Sequence, residues 1–384
     1  MIPYSTQSIS AADVKAVERS LRSGWLTQGP ALEKFEKAIA KKVGAKFAVA
    51  FNSGTAALHA AYFAAGIGKG DEVIVPSLTF AATANAALYL GAKPVFADCD
   101  KEYGTMSVAG ARKKITKKTK AIVPVDYAGR PADLNEFRAL AKKYKLVFIE
   151  DAAQSLGATY RGKSVGTQAD MTMFSFHPVK SITTGEGGVI VTNNEKYAKA
   201  MRMFRSHGIV KDPKMFVRKN HGAWYQEMQE LGFNYRMPEM CAALGESQLK
   251  RLDSFITKRR AAAKRYQKLL SRIPNLILPP VERSCEKSAW HLYPVRLAPK
   301  IAHKRDEVFA KMREAGIGVQ VHHVPVHTHL FYEKLGYKKG ICPITEAFVA
   351  SEISIPLFPA ITQKQQQYIA DTLKRMLISY EKKS

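Results

Sequence analysis

From about residue 46 onward, short apolar and β-branched runs alternate with stretches of helical spacing. The runs are Phe47–Phe51, Glu72–Val75, Pro94–Ala97, Ala121–Val125 and Leu146–Ile149. Parallel neighbours in a sheet need a long crossover, usually a helix, and strands covered on both faces read as continuous apolar runs. The rhythm therefore predicts an α/β domain built on a mostly parallel sheet. Two further runs, Met171–Phe176 and Val189–Thr192, break the helical spacing and are expected to pair as neighbouring strands. Pro238 opens an Ala-, Lys- and Arg-rich stretch to about Arg272, as a proline in a first helical turn does, and this predicts an interdomain helix. Beyond Pro274, Pro279 and Pro280, a strand over Trp290–Leu297 and a helix over Asp306–Ala315 predict a smaller α+β domain. The expected division is a large domain over 27–245 and an interdomain helix with a small domain over 246–384. Residues 1–26 are expected to pack on the small domain or on a partner subunit.

Composition narrows the class of protein. The uncharged stretches 47–68 and 73–92 have the length of a membrane span. Asn52, Ser53, Gly54, Thr55 and His59 interrupt the first, and Pro76, Ser77, Thr79 and Asn85 the second, so both read as strand, turn and helix. The N-terminus has neither a basic nor an apolar signal region, so a cytoplasmic protein is expected. Cys99, Cys241, Cys285 and Cys342 are scattered, which suggests reduced thiols rather than a disulfide framework or a zinc knuckle. The formal charge of +26 attracts polyanions. Its cations are spread over many helices without a recognition motif, so a solvated basic surface is the first reading and a nucleic-acid-associated protein without turnover the remote one.

The candidate chemistry lies just after the apolar runs, where ligands bind in parallel sheets. Lys180 has apolar and small neighbours, and such an amine can lose its proton and attack a carbonyl. Asn52-Ser-Gly-Thr55 is a small-residue turn before a helix starting at Ala56; it suits a phosphate cradle, or a plain capped turn. Asp151, in Ile149-Glu-Asp-Ala-Ala-Gln154, ends an apolar strand; it suits a partner for a protonated ring nitrogen, or a cap or core ion pair. Ser175, His177 and Lys180 add a hydroxyl, an imidazole and an amine within six residues. A phosphate cradle, a pyridinium partner and an imine-forming amine are together what pyridoxal 5′-phosphate requires. His322, His323, His327 and His329 form a histidine cluster, but no carboxylate or cysteine stands near at ligand spacing, so a substrate or core role is expected and no metal.

These segments, with Pro76-Ser-Leu-Thr-Phe-Ala-Ala-Thr-Ala-Asn85, Thr183-Thr-Gly-Glu-Gly-Gly188 and Gly232-Phe-Asn-Tyr-Arg-Met237, resemble the DegT/DnrJ/EryC1/StrS family of nucleotide-sugar aminotransferases over nearly the whole chain. The resemblance implies the type I fold of pyridoxal-phosphate transferases, like aspartate aminotransferase, and a homodimer with shared active sites. It implies that Lys180 forms the Schiff base and moves the proton, that Asp151 holds the pyridine nitrogen protonated, that Phe80 stacks on the ring and that Gln154 contacts the phenolic oxygen. Ser53, Gly54, Thr55 and Ser175 would serve the phosphate, with Asn234 reaching in from the other subunit. His177 would lie beside the substrate. Ile2-Pro-Tyr-Ser5, Ser23-Gly-Trp-Leu-Thr-Gln-Gly-Pro30 and Gln320-Val-His-His-Val-Pro-Val-His327 further resemble the members that aminate C4 of a UDP-linked 4-keto-6-deoxy-N-acetylhexose with L-glutamate as donor. They imply substrate contacts at Tyr4, at Gly24, Trp25, Leu26 and Thr27, and at Val321, His322, His323 and Val324. His323 stands where that resemblance leads one to expect an aromatic such as tyrosine. A dTDP- or GDP-linked keto sugar is the alternative substrate.

Overall fold

The computed structural model describes residues 1–219 and 221–381. Helices α1 (Ala11–Leu21) and α2 (Pro30–Val43) precede the sheet. Strands and helices then alternate: β1 (Phe47–Phe51), α3 (Gly54–Ala64), β2 (Glu72–Pro76), α4 (Ala82–Tyr89), β3 (Lys93–Ala97), α5 (Val108–Arg112), β4 (Thr119–Ile122), α6 (Leu134–Tyr144) and β5 (Val147–Asp151). Strands β6 (Met171–Ser175) and β7 (Gly188–Thr192) complete a seven-stranded sheet in the order β1-β7-β6-β5-β4-β2-β3. As expected, β6 and β7 pair, and they do so antiparallel; β7 is also antiparallel to β1, while the remaining neighbours are parallel. Strand β4 ends at Ile122, short of the expected Val125, because Pro124 has no N–H to continue the ladder. Its carbonyl instead accepts the Asp151 N–H at 3.0 Å.

All strands but β7 run the same way, so Phe51, Pro76, Asp151 and Ser175 end at one edge. At that edge Gly188 opens β7, paired with Phe51 on one side and Ser175 on the other. A Cβ on Gly188 would stand 2.6 Å from the Ser53 carbonyl oxygen and 2.8 Å from the Gly54 nitrogen. Only glycine lets the turn after β1 settle against the mouth of β7.

After α7 (Glu195–Phe204), the expected single helix from Pro238 is two: α8 (Glu239–Leu249) and α9 (Leu252–Leu270). Helix α9 buries Phe255, Ile256, Arg259, Ala263 and Tyr266, the three-to-four spacing of one face. That face meets a second apolar core around β8 (Leu276–Ile277), β9 (Tyr293–Leu297), α10 (Arg305–Glu314), β10 (Glu352–Ile355) and, after α11 (Leu330–Lys334) and α12 (Pro343–Ser351), helix α13 (Gln363–Glu381). The strand expected over Trp290–Leu297 begins only at Tyr293, because the Ala289, His291 and Leu292 N–H groups donate to Gly129 and Ala128. The N-terminus joins this part: Ile2 bridges Ile317, and the Tyr4 carbonyl accepts the Leu357 N–H at 3.0 Å. Arg259 is 1% exposed, and its guanidinium donates to the carbonyls of Trp290, His291 and Leu357. Burial lowers its pKa to about 10. Among the described residues no helix is long and apolar enough to cross a membrane.

Gly188→Ala is expected to cost about 1–3 kcal/mol, the usual penalty of overpacking a closed site. Thermal denaturation of the variant checks this, and an unchanged melting temperature would show that the turn after β1 yields freely.

Candidate active site

Asp151 is the last residue of β5 and is 4% exposed. Its Oδ2 accepts from the Thr83 hydroxyl at 2.7 Å, and Thr83 is itself 2.8 Å from the Thr79 hydroxyl. Its Oδ1 accepts the Ala153 N–H at 3.2 Å. Burial raises the carboxyl's pKa, while Thr83, Ala153 and the charge of Lys180 pull it back down. Thr79 precedes α4 and Thr83 lies in its first turn, four residues on, a spacing that could have marked them as holders of a carboxylate.

Lys180 lies in the loop after β6, its N–H donating to the His177 carbonyl at 3.0 Å. The residue is half-buried as a whole, with its amine enclosed. Desolvation brings the amine down to about 8, against the opposing pull of Asp151. Such an amine is partly neutral near neutral pH and can act as a nucleophile and a proton carrier.

Helix α3 begins at Gly54, two residues earlier than expected, because Ser53 is its N-cap: the Ser53 hydroxyl accepts the Ala56 N–H at 3.1 Å. Gly54 and Thr55 therefore lie in the first turn, where free N–H groups and the positive helix end favour an anion. A Cβ on Gly54 would meet the Ser175 hydroxyl at 3.4 Å, so the strand-end serine and the helix start form one concavity. Gln154 is buried, its Oε1 taken by the Ala128 N–H at 2.7 Å, which leaves its amide nitrogen to donate. Phe80 exposes 63% of its surface, and its ring centroid lies 6.0 Å from that of His323.

The expected substrate residues fall into separate groups. Tyr4, His322, His323 and Phe80 form a chain of rings, with successive centroid distances of 5.6, 5.0 and 6.0 Å. Val321 is half-buried and Val324 exposed on either side of the two histidines. His322 is fixed by its N–H on Glu352 at 3.0 Å and by its carbonyl, which accepts from the Tyr127 hydroxyl at 2.8 Å. Burial first, then the Lys180 charge, lowers His322 to about 4. His177 is exposed, with Nε2 4.0 Å from Glu186. Gly24, Trp25, Leu26 and Thr27 are exposed and tied to α8 rather than to Asp151 or Lys180: the Leu26 carbonyl accepts the Glu239 N–H at 3.1 Å, and Thr27 bridges Pro238. Asn234 is exposed, and its carbonyl accepts from the Asn52 side chain of the same chain at 3.4 Å.

The histidine cluster divides. His327 is fully buried, with Nδ1 2.5 Å from the Ser77 hydroxyl and Nε2 2.9 Å from Glu346. Ser77 is itself fully buried, so this Ser-His-Glu row clasps the 322–328 loop to the end of β2 and offers no accessible nucleophile. His291, which sequence reasoning passed over, is 4% exposed, and its Nδ1 has no partner. Burial and then the Lys180 charge hold it far below the usual imidazole pKa. Nothing in its local sequence marks it, since Arg259 and Ala128 lock its backbone from distant parts of the chain.

A buried carboxylate, an enclosed low-pKa amine, an exposed aromatic face and a helix start joined to a serine fit a phosphorylated pyridine aldehyde. With the sheet and its edge, they define a pyridoxal 5′-phosphate-dependent aminotransferase of the type I fold. The chain belongs to the DegT/DnrJ/EryC1/StrS aminotransferase family, whose model matches residues 7–374. It is 39% identical over 388 residues, covering 100% of this chain and 99% of the relative, to the UDP-4-amino-4,6-dideoxy-N-acetyl-β-L-altrosamine transaminase of Campylobacter jejuni serotype O:23/36. Among solved structures it is similar to Helicobacter pylori PseC, an aminotransferase of pseudaminic acid biosynthesis, with a TM-score of 0.91, 33% identity and coverage of 98% of this chain and 99% of the other. The putative sugar aminotransferase Spr1654 of Streptococcus pneumoniae in its PMP form gives 0.93, 30% identity and coverage of 99% and 100%.

In cofactor-free protein, modification of Lys180 by an amine reagent, followed on its peptide by mass spectrometry, is expected to have its midpoint at about pH 8. Asp151→Asn removes the charge that favours the ammonium, so the midpoint should move down; an upward shift would contradict the pairing. Between about 8 and the unfolded value of 10.5 the unfolded chain binds more protons, so this group's contribution to stability rises with pH across that window.

Proposed function

We propose that this protein transfers the amino group of L-glutamate to C4 of a UDP-linked 4-keto-6-deoxy-N-acetylhexose, a step of pseudaminic acid biosynthesis, as a cytoplasmic homodimer with shared active sites. The observation that carries the reading is the buried Asp151 beside the enclosed amine of Lys180 at the strand ends, with Tyr4 packed on His322, whose imidazole feels the Lys180 charge. The names of the Campylobacter and Helicobacter relatives support the substrate.

When bound, pyridoxal 5′-phosphate supplies an electrophilic carbonyl and an electron sink. In this reading the α3 start and Ser175 hold its phosphate, and Phe80 covers one face of its ring. Asp151 holds a proton at the ring nitrogen, an arrangement a carboxylate in a low-dielectric site stabilises. Lys180 would carry a proton from the donor's carbon to the cofactor in one half-reaction and from the cofactor to the sugar's C4 in the other. Gln154 donates to the phenolic oxygen. Asn234, exposed on its own chain, reaches the partner's phosphate. Gly24 to Thr27, His177 and Val321 to Val324 bound the sugar and its carrier. The 27–245 and 246–384 division into large and small domains belongs to the same reading. His323 in the ring chain, in place of the expected tyrosine, is the observation that keeps a dTDP- or GDP-linked keto sugar as the second reading.

The test is a product assay with glutamate against a panel of 4-keto sugar nucleotides. The UDP-linked N-acetyl sugar is expected to be aminated. Amination of a dTDP or GDP sugar alone would overturn the substrate while leaving the family intact. Lys180→Ala should lose both the cofactor's near-visible band and all turnover above about a ten-thousandth of the parent rate.

A further inference from the structure

Behind Asp151 lie two more buried carboxyl groups that the reaction does not use. Glu150 and Asp126 are both 0% exposed, and neither forms a salt bridge among the described residues. Their carboxyl groups stand within reach of each other, and two buried acceptors can bond there only if one of them carries a proton.

Their other partners are unequal. Asp126 Oδ1 accepts the Ala132 N–H at 2.9 Å, and its Oδ2 accepts the Ser155 hydroxyl at 2.5 Å. Glu150 Oε2 accepts from Thr172 at 2.9 Å, while its Oε1 is buried and receives no donor. A carboxylate is favoured where donors converge, and a carboxyl group without a donor is favoured protonated. The backbone ties both groups to the reactive carboxylate, for Glu150 precedes Asp151 and the Asp126 N–H donates to the Asp151 carbonyl at 3.0 Å.

We infer that Glu150 carries the proton on Oε1 and donates it to the Asp126 carboxylate, and that this pair is a positioning element that fixes the end of β5 and so aims Asp151. Glu150 and Asp126 touch neither cofactor nor substrate in this role; they act through Asp151. The direction of each group's proton affinity agrees: burial raises both, Glu150 well above its usual value, with the Asp151 charge adding to each. The shared proton spares the site a third buried negative charge.

The two conservative amides separate this from a merely structural cluster. In Glu150→Gln the amide nitrogen donates to Asp126 as the carboxyl did, and the amide oxygen still accepts from Thr172. In Asp126→Asn an N–H group must occupy a position now facing a donor. Infrared difference spectra of the full chain at neutral pH should show a protonated-carboxyl stretch that E150Q removes. Subtracting wild type from E150Q cancels the contribution of Glu352, which burial also raises, to about 8. The dissociation constant for pyridoxal 5′-phosphate should rise about five- to a hundredfold in D126N, the effect of one unpaired buried polar group, and less in E150Q. Absence of the E150Q-sensitive band, or a loss in E150Q equal to that in D126N, would overturn the assignment. The infrared measurement needs only wild type and E150Q, so it decides whether or not D126N folds, and it does not depend on the cofactor.

Discussion

A negative and a positive charge buried at one edge of a sheet are the constraint around which this structure is arranged. Neither group is stable there alone, since moving an isolated ion out of water costs several kcal/mol even after relaxation. Asp151 and Lys180 each lessen that cost for the other, and each is shifted by burial in the direction of its neutral form. The surroundings supply what the pair lacks. Thr83 and the Ala153 N–H donate to the carboxylate, and among the described residues the amine has no close acceptor that would fix it as an ammonium. An amine held in this state is chemically available, whereas one in a tight surface ion pair is not. Exposed ion pairs such as Arg22–Glu18 and Lys37–Glu33 carry little energetic weight beside this balance.

Much of this was legible in the chain because the chemistry sits where the hydrophobic pattern changes. Asp151, Ser175 and the Ser53–Thr55 turn each follow an apolar run, so locating the strands located the residues, and the pairing of β6 with β7 followed from their spacing. Boundaries failed where the backbone made bonds that the pattern does not encode. Helix α3 starts at Gly54 because Ser53 caps it, β4 stops before Pro124, and the chain at Trp290 gives its hydrogen bonds to Ala128 and Gly129 instead of a strand. The helix expected from Pro238 divides near Lys250, a break that no proline or glycine announces. Thr83, His291 and the Asp126–Glu150 pair were missed for a different reason: their importance comes from what the fold places beside them.

Long-range ties of that kind also hold the outer part of the site. Ser77 and His327 are 250 residues apart, yet their hydrogen bond fixes the loop that carries His322 and His323 against the strand end from which Phe80 follows. Arg259 does the same from α9, joining Trp290, His291 and Leu357 by carbonyl bonds and, among the described residues, without an acidic partner. A buried guanidinium bound only to carbonyls stabilises one arrangement of these segments and penalises others, because any displacement leaves a buried charge short of acceptors.

The site thus has two zones with different physics. In the inner zone, fully buried polar groups are fixed by short hydrogen bonds, and a change of one atom type leaves a partner unsatisfied, so the reaction type tolerates little variation there. In the outer zone, Tyr4, His323 and Phe80 are half-buried or exposed rings, 5.0 to 6.0 Å from the next ring. Rings at that spacing can be exchanged or tilted at small energetic cost. Selectivity among sugar nucleotides needs only a few kcal/mol of difference between competing substrates. The same fold and inner zone can therefore serve several sugars, and the ring of His323 beside Phe80 makes no hydrogen bond, among the described residues, to the groups that hold Asp151.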